Sequence, residues 1–332
     1  MAISITLRLR IRRAAVRQAI ESILQVVYMY TARRPGWGLI AIIIVGFSVA
    51  ACGGEQPAGD TAAKAAGRAN VESMSREHAT DTATPSPATE AQPARAVVSD
   101  ERLPYAEIND ELVYGYFVAP SDMFEPLPAI IMIHEWWGLN DNVRAMANRL
   151  AGEGYMVLAV DLYGGEVAVS PAAARELMLR VVEDPEAAQQ NLRSAYEFLS
   201  AAAGAPRIAS LGWCFGGGWS LGTAQLFPDD LDAAVIYYGH VTSDQDKLAP
   251  VNVPILGLFA AEDSGITVAS VEGFKAALED LGKDHEIHIY PGVGHAFANP
   301  TGTNYNQAAA EDAWSKTLEF LSRHLGADKS GT

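Results

Sequence analysis

The sequence predicts an α/β fold, with a mainly parallel sheet covered by helices on both faces. Continuous apolar runs, Pro128–His134 and Tyr155–Val160, are typical of strands that are buried on both sides. Helix signals alternate with these runs, since Ser170-Pro171 and Asp184-Pro185 each place a capping side chain before a proline. Parallel strands joined by crossover helices explain this alternation, so we expect one covered sheet over residues 101–326.

The other predicted elements continue the same alternation. An early strand is expected at Leu112–Ala119 and a helix at Asn142–Leu150. Further strands are expected at Arg207–Leu211, Ala233–Tyr238, Pro254–Phe259 and Glu286–Tyr290. Further helices are expected from Pro171, from Pro185 to about Ala203, and over Trp219–Leu226, Val268–Leu281 and Gln307–Leu325. No internal repeat is visible, and a segment of this size is in the range of one domain.

Charge is distributed unevenly along the 332 residues, whose formal net charge is −16. Residues 1–51 contain seven arginines and one acidic residue, so the remainder has a net charge of −22. So acidic a body argues against nucleic acid as a partner. The chain has two cysteines, Cys52 and Cys214, which excludes a disulfide framework beyond a single bridge.

The N-terminal segment has the order of a secretory signal peptide. Arg33-Arg34 precede the apolar run Gly38–Phe47, which is shorter than the ~20 residues of a membrane-spanning helix. Val49–Cys52 resembles the bacterial lipobox, which implies that Cys52 is lipidated and anchors the protein to a membrane. We therefore expect a signal peptide over residues 1–51, with an uncleaved anchor as the alternative. The expected location is the bacterial cell envelope, on the periplasmic or outer-membrane face.

Three further expectations concern the ends of the chain. The segment before Arg33 is long and basic for a signal peptide, so Met29 is an alternative translation start. Residues 53–100 are rich in Ala, Thr, Pro, Gly, Ser and Glu, which predicts a disordered tether that begins at the lipidated Cys52. Residues 327–332 are expected to form a disordered tail.

A candidate nucleophile stands in the motif Gly212-Trp213-Cys214-Phe215-Gly216, between a predicted strand and a predicted helix. This is the strand–turn–helix pattern of a nucleophile elbow, with cysteine in the place of serine. Glycines two residues before and after allow the tight turn, and the helix dipole favours the reactive thiolate. The alternative is a small buried cysteine that only fills space.

Two more candidates follow later strands, where catalytic groups of parallel sheets cluster. Asp263 follows the strand Pro254–Phe259, and His295 follows the strand Glu286–Tyr290. The order nucleophile, acid, histidine matches a catalytic triad, with Glu262 as the rival acid. None of the other histidines has metal-ligand spacing with cysteine or carboxylates, so no metal and no cofactor are expected.

Several short motifs together resemble the dienelactone hydrolase family of the α/β-hydrolase fold over residues 105–325. The motifs are Ile133-His134-Glu135-Trp136-Trp137-Gly138-Leu139-Asn140, Asp161-Leu162-Tyr163, Gly212-Trp213-Cys214-Phe215-Gly216-Gly217, Asp263 and Gly294-His295. The resemblance implies hydrolysis of esters and lactones through an acyl-enzyme, without a cofactor. It implies the following site residues: Cys214 as nucleophile, His295 as base, Asp263 as its partner, Glu135 in contact with the resting thiol, and the Trp136 and Phe215 N–H groups as oxyanion hole.

Two positions depart from the family pattern. The arginines with which well-characterised members bind a substrate carboxylate are replaced here, one by Gly164 or Gly165 and the other by Asn299. Loss of both guanidinium groups removes bidentate carboxylate recognition. We therefore expect a small-molecule ester or lactone that is neutral or weakly charged, in a pocket lined by Trp137, Tyr163, Trp213 and Asn299. A catalytically retired binding protein of the cell envelope is the main alternative, and a thiol redox sensor is another.

Overall fold

The structure is a computed structural model that describes residues 59–79 and 96–326. Its strands in chain order are β1 (Val97–Ile108), β2 (Glu111–Pro120), β3 (Ala129–Ile133), β4 (Met156–Val160), β5 (Ile208–Trp213), β6 (Ala233–Tyr237), β7 (Ile255–Ala260) and β8 (His285–Tyr290). They form one sheet in the order β1-β2-β4-β3-β5-β6-β7-β8. β3 to β8 are parallel to one another, whereas β1 pairs with β2, and β2 with β4, in the antiparallel sense.

The helices lie mainly between the strands along the chain. They are α1 (Gly59–Glu77), α2 (Asp141–Gly152), α3 (Pro171–Glu183), α4 (Pro185–Glu197), α5 (Phe215–Leu226), α6 (Gln245–Leu248), α7 (Val268–Asp280) and α8 (Gln307–Leu325). Both predicted caps are present, since Ser170 and Asp184 accept hydrogen bonds from backbone N–H groups of the first turns of α3 and α4. A single turn of π-helix over residues 198–202 continues α4.

The parity of side chains along each strand divides the core between the two faces of the sheet. In β3, Ile130 and Met132 pack into one cluster, whereas Ala129, Ile131 and Ile133 pack into the other. All five side chains are fully buried, which explains the continuous apolar run in the sequence. The mainly parallel sheet with two buried faces confirms the predicted α/β class.

The structure differs from the predicted tether. Residues 59–77 form α1, and β1 begins at Val97, before the expected domain boundary at residue 101. An alanine-rich segment cannot bury a core of its own, yet alanine is the best helix former. Val71, Met74 and His78 recur at helical spacing and are buried against the domain. The tertiary contact therefore decides the structure of this segment.

The remaining N-terminal predictions fall outside the described residues. These predictions are the signal peptide over residues 1–51, the start at Met29 and the lipidation of Cys52. The predicted tail over residues 327–332 also lies outside the described residues. All of these stay predictions. No helix within residues 59–79 and 96–326 is both long and apolar enough to cross a membrane.

Candidate active site

Cys214 stands at the sharp turn between β5 and α5. Its φ of 57° lies in the left-handed region, which residues with a Cβ rarely adopt. Close packing on both sides requires glycine, because a Cβ on Gly212 would lie 2.1 Å from Gly216 O. A Cβ on Gly216 would lie 2.3 Å from Ile133 O at the end of β3. The glycines of the motif therefore hold the thiol at the carboxyl edge of the sheet in a strained turn.

His295 and Asp263 lie beside the thiol, on the loops that follow β8 and β7. His295 Nδ1 donates a hydrogen bond to Asp263 Oδ2 at 2.6 Å. The other carboxylate oxygen accepts two backbone N–H bonds from the following turn, at 2.7 and 2.9 Å. A ring nitrogen of His295 lies within 4.8 Å of Cys214 Sγ. Because Nδ1 is bound to Asp263, and not to the exposed Glu262, Nε2 is the nitrogen available to the thiol.

The thiol and the imidazole shift each other's protonation. Burial by itself raises the pKa of Cys214, but the adjoining His295, and to a smaller extent His78, outweigh burial and lower that pKa to about 6. Burial likewise lowers the pKa of His295, yet Cys214 and Asp263 outweigh it and raise that pKa well above its usual range. The two groups titrate as a pair whose favoured form is thiolate and imidazolium.

The two predicted oxyanion donors belong to elements that meet at the edge of the sheet where Cys214 stands. Phe215 is the first residue of α5, and the first N–H groups of a helix have no acceptor within the helix. Gly218 N–H donates back to Cys214 O at 3.2 Å, which closes the first turn of α5 behind Phe215. Trp136 belongs to the loop after β3, the strand next to β5, and its backbone lies at the same edge of the sheet. The arrangement fits two N–H donors around a reacting carbonyl.

Glu135 is buried and is oriented by Asn299. Asn299 Nδ2 donates to Glu135 Oε2 at 2.5 Å, and Asn299 Oδ1 accepts from the Thr301 N–H at 2.8 Å. Burial, and then the charge of Glu135, raise the pKa of the Tyr238 hydroxyl well above its usual range. Asn299 therefore holds a carboxylate in place, and together with Glu135 and Trp213 it lines a narrow cavity of about 10 Å³. The contact of Glu135 with the resting thiol stays a prediction.

The three aromatic residues predicted to line the pocket are buried at different places. The Tyr163 ring lies 5.6 Å from that of Phe215, directly after the nucleophile. Trp137 packs on Trp136 at 5.0 Å, whereas Trp213 packs on a tyrosine of β6 at 5.5 Å. Trp213, directly before Cys214, lines the narrow cavity with Glu135 and Asn299, whereas Tyr163 borders a larger open space.

This open space is a cavity of about 730 Å³ beside Tyr163. Gly164 and Gly165 line it with φ values of 67° and 93°, and a Cβ on either would meet nothing within 4 Å. Asp161 holds this turn by accepting from the Tyr163 and Gly165 N–H groups, at 2.8 and 2.5 Å. No side chain extends from these positions, and Cys214 itself does not line the cavity.

Comparison with known proteins identifies the family to which this chain belongs. A family model described as the dienelactone hydrolase family matches residues 113–325. This chain belongs to the dienelactone hydrolase family. A "Putative carboxymethylenebutenolidase" of Saccharolobus solfataricus is 35% identical over 235 residues, which cover 60% of this chain and 90% of that protein. One of the same name from Escherichia coli K12 is 32% identical and covers 64% of this chain and 83% of its own length.

A solved structure gives the same result for the fold. The "Putative Dienelactone Hydrolase" of Klebsiella pneumoniae superimposes with a TM-score of 0.62 at 27% identity, covering 69% of this chain and all of its own. Membership of the dienelactone hydrolase family makes this chain a hydrolase of ester bonds, which confirms the predicted class of enzyme. The family match begins within β2, so α1 and β1 lie before it.

The residues that cover the thiol of this dienelactone hydrolase family member were not predicted from the sequence. Met74 Sδ lies 3.2 Å from Cys214 Sγ. The His78 ring lies 4.9 Å from that of His295 and 5.0 Å from that of Trp136. The helical spacing of Val71, Met74 and His78 was the available signal, but it is short and stands in an alanine-rich segment.

Tyr238 is another missed residue. It follows β6, has a φ of 36°, and its ring lies 5.1 Å from that of His295. A tyrosine at a strand end before a glycine was visible in the sequence, but nothing in the sequence showed that it packs on the catalytic histidine.

A soft metal ion would find ligands at the same place. His78, Cys214 and His295 offer three ligand atoms within 4.8 Å of one another, and Glu77, Asp263 and His295 form a second such group. Imidazole and thiolate suit zinc. Such an ion would bind atoms that also belong to the predicted triad. The expectation of no metal stays a prediction.

Proposed function

We propose that this protein hydrolyses a neutral carboxylic ester or lactone through an acyl-enzyme formed on Cys214. The observation that carries the proposal is the strained turn that presents Cys214 beside His295, whose other nitrogen is held by Asp263 at 2.6 Å. An intact arrangement of this kind, in a member of a hydrolase family, argues against a retired binding protein.

The reaction follows from the protonation of the pair. His295 Nε2 holds the proton of the thiol, and the Cys214 thiolate attacks the carbonyl carbon, while the Trp136 and Phe215 N–H groups bind the developing oxyanion. His295 gives its proton to the departing alkoxide, and the S–acyl bond remains. A water molecule then loses a proton to His295 and attacks the thioester. Collapse of that intermediate releases the acid and restores the thiol proton.

The choice of a neutral substrate is supported by the charges around the site. The positions of the two carboxylate-binding arginines are glycine turns and an asparagine that is already bound to Glu135. Glu135 and Asp263 are buried carboxylates on loops at the edge of the sheet that carries Cys214, and Asp263 is bound to His295. A substrate carboxylate would meet these like charges, which disfavours it. The arginines that line the cavity beside Tyr163 stand at other positions than the two of the family, and Arg144 and Arg180 are bound to Asp141 and Glu166.

Substitution of the nucleophile tests the proposal. With p-nitrophenyl butyrate, we expect Cys214→Ala to lower kcat/KM by about 10³-fold or more, because the nucleophile is lost. The matched control is Glu262→Ala, which removes an exposed side chain next to Asp263 and should change kcat/KM by less than about twofold. Mass spectrometry of quenched wild-type reactions should find one butyryl group on Cys214. Full activity of Cys214→Ala would contradict the proposal.

We further propose attachment to the cell envelope through a lipid on Cys52. The lipobox-like Val49–Cys52 supports it. When the full chain is expressed in the presence of an alkyne-labelled fatty acid, the wild type should become labelled. The Cys52→Ser variant should stay unlabelled and should be found in the soluble fraction. Equal labelling of both would contradict lipidation at this residue.

A further inference from the structure

We propose that the surface around Cys214 binds the chain's own segment Lys64–Ala79, so that the resting enzyme is inhibited by its N-terminal helix and turns over only when that helix leaves. The inference builds on the proposed function, because it concerns access to the same thiol. It concerns a part of the chain that lies before the segment matched by the family model.

Met74 blocks access to the thiol sterically. Met74 Sδ lies 3.2 Å from Cys214 Sγ, and Met74 and His78 are both buried. A carbonyl carbon must approach a nucleophile to about 3–3.5 Å before reaction. The Met74 thioether occupies that distance, so a substrate carbonyl and Met74 cannot be in place together.

Two ion pairs make the contact between α1 and α3 specific. Arg68 binds Glu183 of α3 through two hydrogen bonds, at 2.6 and 2.9 Å. Glu72 binds Arg175 of the same helix. Each pair joins opposite charges on facing helices, which fixes the register of α1 over α3 and places Met74 above the thiol.

Further contacts fit the same arrangement. Glu77 accepts from the Ser264 N–H and hydroxyl at 3.1 and 3.2 Å, next to the catalytic Asp263. A Cβ on Gly67 would lie 2.7 Å from Val182 Cγ1, so glycine permits the close approach of the two helices. Contacts thus extend along the segment from Gly67 to His78.

The triad itself does not depend on this helix. The turn at Cys214 is held by β5 and α5, and the His295–Asp263 bond is held by loops after β7 and β8. Removal of α1 therefore exposes the thiol and leaves the parts of the triad in place. His78 of this segment also lowers the thiol pKa, but the segment supplies no member of the triad. We therefore interpret its cover over the nucleophile as inhibitory.

The experiment compares two aspartate substitutions in the full chain. Val71→Asp puts a charge on the buried face of α1, and Ala69→Asp puts the same charge on its exposed face. The measurements are kcat/KM for p-nitrophenyl butyrate and the rate of Cys214 alkylation by iodoacetamide. Alkylation is followed on the Cys214 peptide by mass spectrometry, because Cys52 is a second thiol.

We expect Val71→Asp to raise both quantities about tenfold or more and Ala69→Asp to change neither by more than about twofold. Unchanged values for Val71→Asp, or equal increases for both variants, would overturn the inference. If alkylation responds as expected while no variant hydrolyses any ester, the inhibitory contact stands and the proposed hydrolysis fails. If esters are hydrolysed and Val71→Asp changes neither quantity, the proposed hydrolysis stands and the inhibitory contact fails.

A charge exchange keeps the test independent of helix stability. Arg68→Glu and Glu183→Arg should each raise the alkylation rate about two- to fivefold, because like charges then face each other. The double variant restores opposite charges and should return the rate toward that of the wild type. Two increases that simply multiply in the double variant would show that the pair does not hold the helix on the site.

Discussion

Cys214 differs from a buried structural cysteine in two ways, the conformation of its backbone and the acidity of its thiol. Its backbone has a φ of 57°, and its thiol pKa is lowered to about 6 although burial alone would raise it. Both effects depend on specific neighbours, the flanking glycines for the backbone and His295 for the charge. At the scale of one residue, the chemistry is thus a property of surroundings that come from other strands.

The lowered pKa predicts the pH dependence of thiol reactivity. The thiolate exists above the pKa and is lost as the pH falls through it, so alkylation of Cys214 should reach half of its plateau at a pH of about 6. Coverage by α1 lowers the plateau, and His78 on the same segment also contributes to the midpoint, because it lowers the thiol pKa. The measurement is the iodoacetamide rate on the Cys214 peptide between pH 4.5 and 9.

The control removes the cause of the shift. In His295→Asn the stabilising cation is gone and burial remains, so the midpoint should rise to ~8.5 or above, the range of an ordinary thiol. Asp263→Asn should raise it by less, because the imidazole stays but is charged less readily. A wild-type midpoint near that of a free thiol would contradict the paired titration.

At the scale of elements, the elbow is a close approach of two backbones. β5, α5 and the end of β3 meet where Gly212 and Gly216 have no side chains, with hypothetical Cβ contacts of 2.1 and 2.3 Å. Backbone atoms cannot retreat as a flexible side chain can. The packing of α5 against the sheet therefore depends on these two positions, and the turn that carries the nucleophile depends on that packing.

One methyl group should separate structural from permissive glycines. We expect Gly212→Ala to lower the free energy of unfolding by about 3 kcal/mol, because the new Cβ overlaps Gly216 O. The matched control is Gly222→Ala in α5, where the nearest contact is a Trp219 ring atom at 3.5 Å. That variant should gain about 0.5–1 kcal/mol from helix propensity. Urea unfolding midpoints, at an unchanged slope, measure the free energy of unfolding of both variants. Equal losses of stability in the two variants would contradict a special packing requirement at Gly212.

At the scale of the whole molecule, charge selects against anions. Residues 52–332 have a net charge of −22, and the turn beside Tyr163 carries glycines where a carboxylate-binding arginine would stand. The field of the body acts against an approaching anion. In the cavity beside Tyr163 a ligand carboxylate would meet charges of both signs, since Arg102, Arg144 and Arg180 line it together with acidic residues such as Asp161 and Asp184.

A matched pair of lactones tests this selection. We expect kcat/KM for an uncharged butenolide to exceed that for its carboxylate-bearing analogue by about tenfold or more at low ionic strength. Because screening weakens long-range repulsion, ~0.5 M salt should narrow the difference. Preference for the carboxylate-bearing lactone under low salt would show that another cation replaces the missing arginines.

Much of this protein was determined by local pattern. The apolar runs of β3 and β4 and the caps Ser170 and Asp184 predicted their elements, because burial on both faces and N-capping act within a few residues. The glycines around Cys214 predicted the turn for the same reason. β1 was missed because its side chains are largely exposed as far as Arg102, so it lacks an apolar run.

The contacts between distant segments were decided by the tertiary structure alone. The choice of Asp263 over Glu262, the capture of Glu135 by Asn299 and the position of Tyr238 against His295 join residues from separate strand ends. The sequence placed these residues at one edge of a sheet but could not orient their side chains. The same holds for α1, where Val71, Met74 and His78 form a buried stripe because a matching surface exists on the folded domain. Local sequence determines which elements form, whereas the partner of each side chain depends on surfaces that exist only after folding.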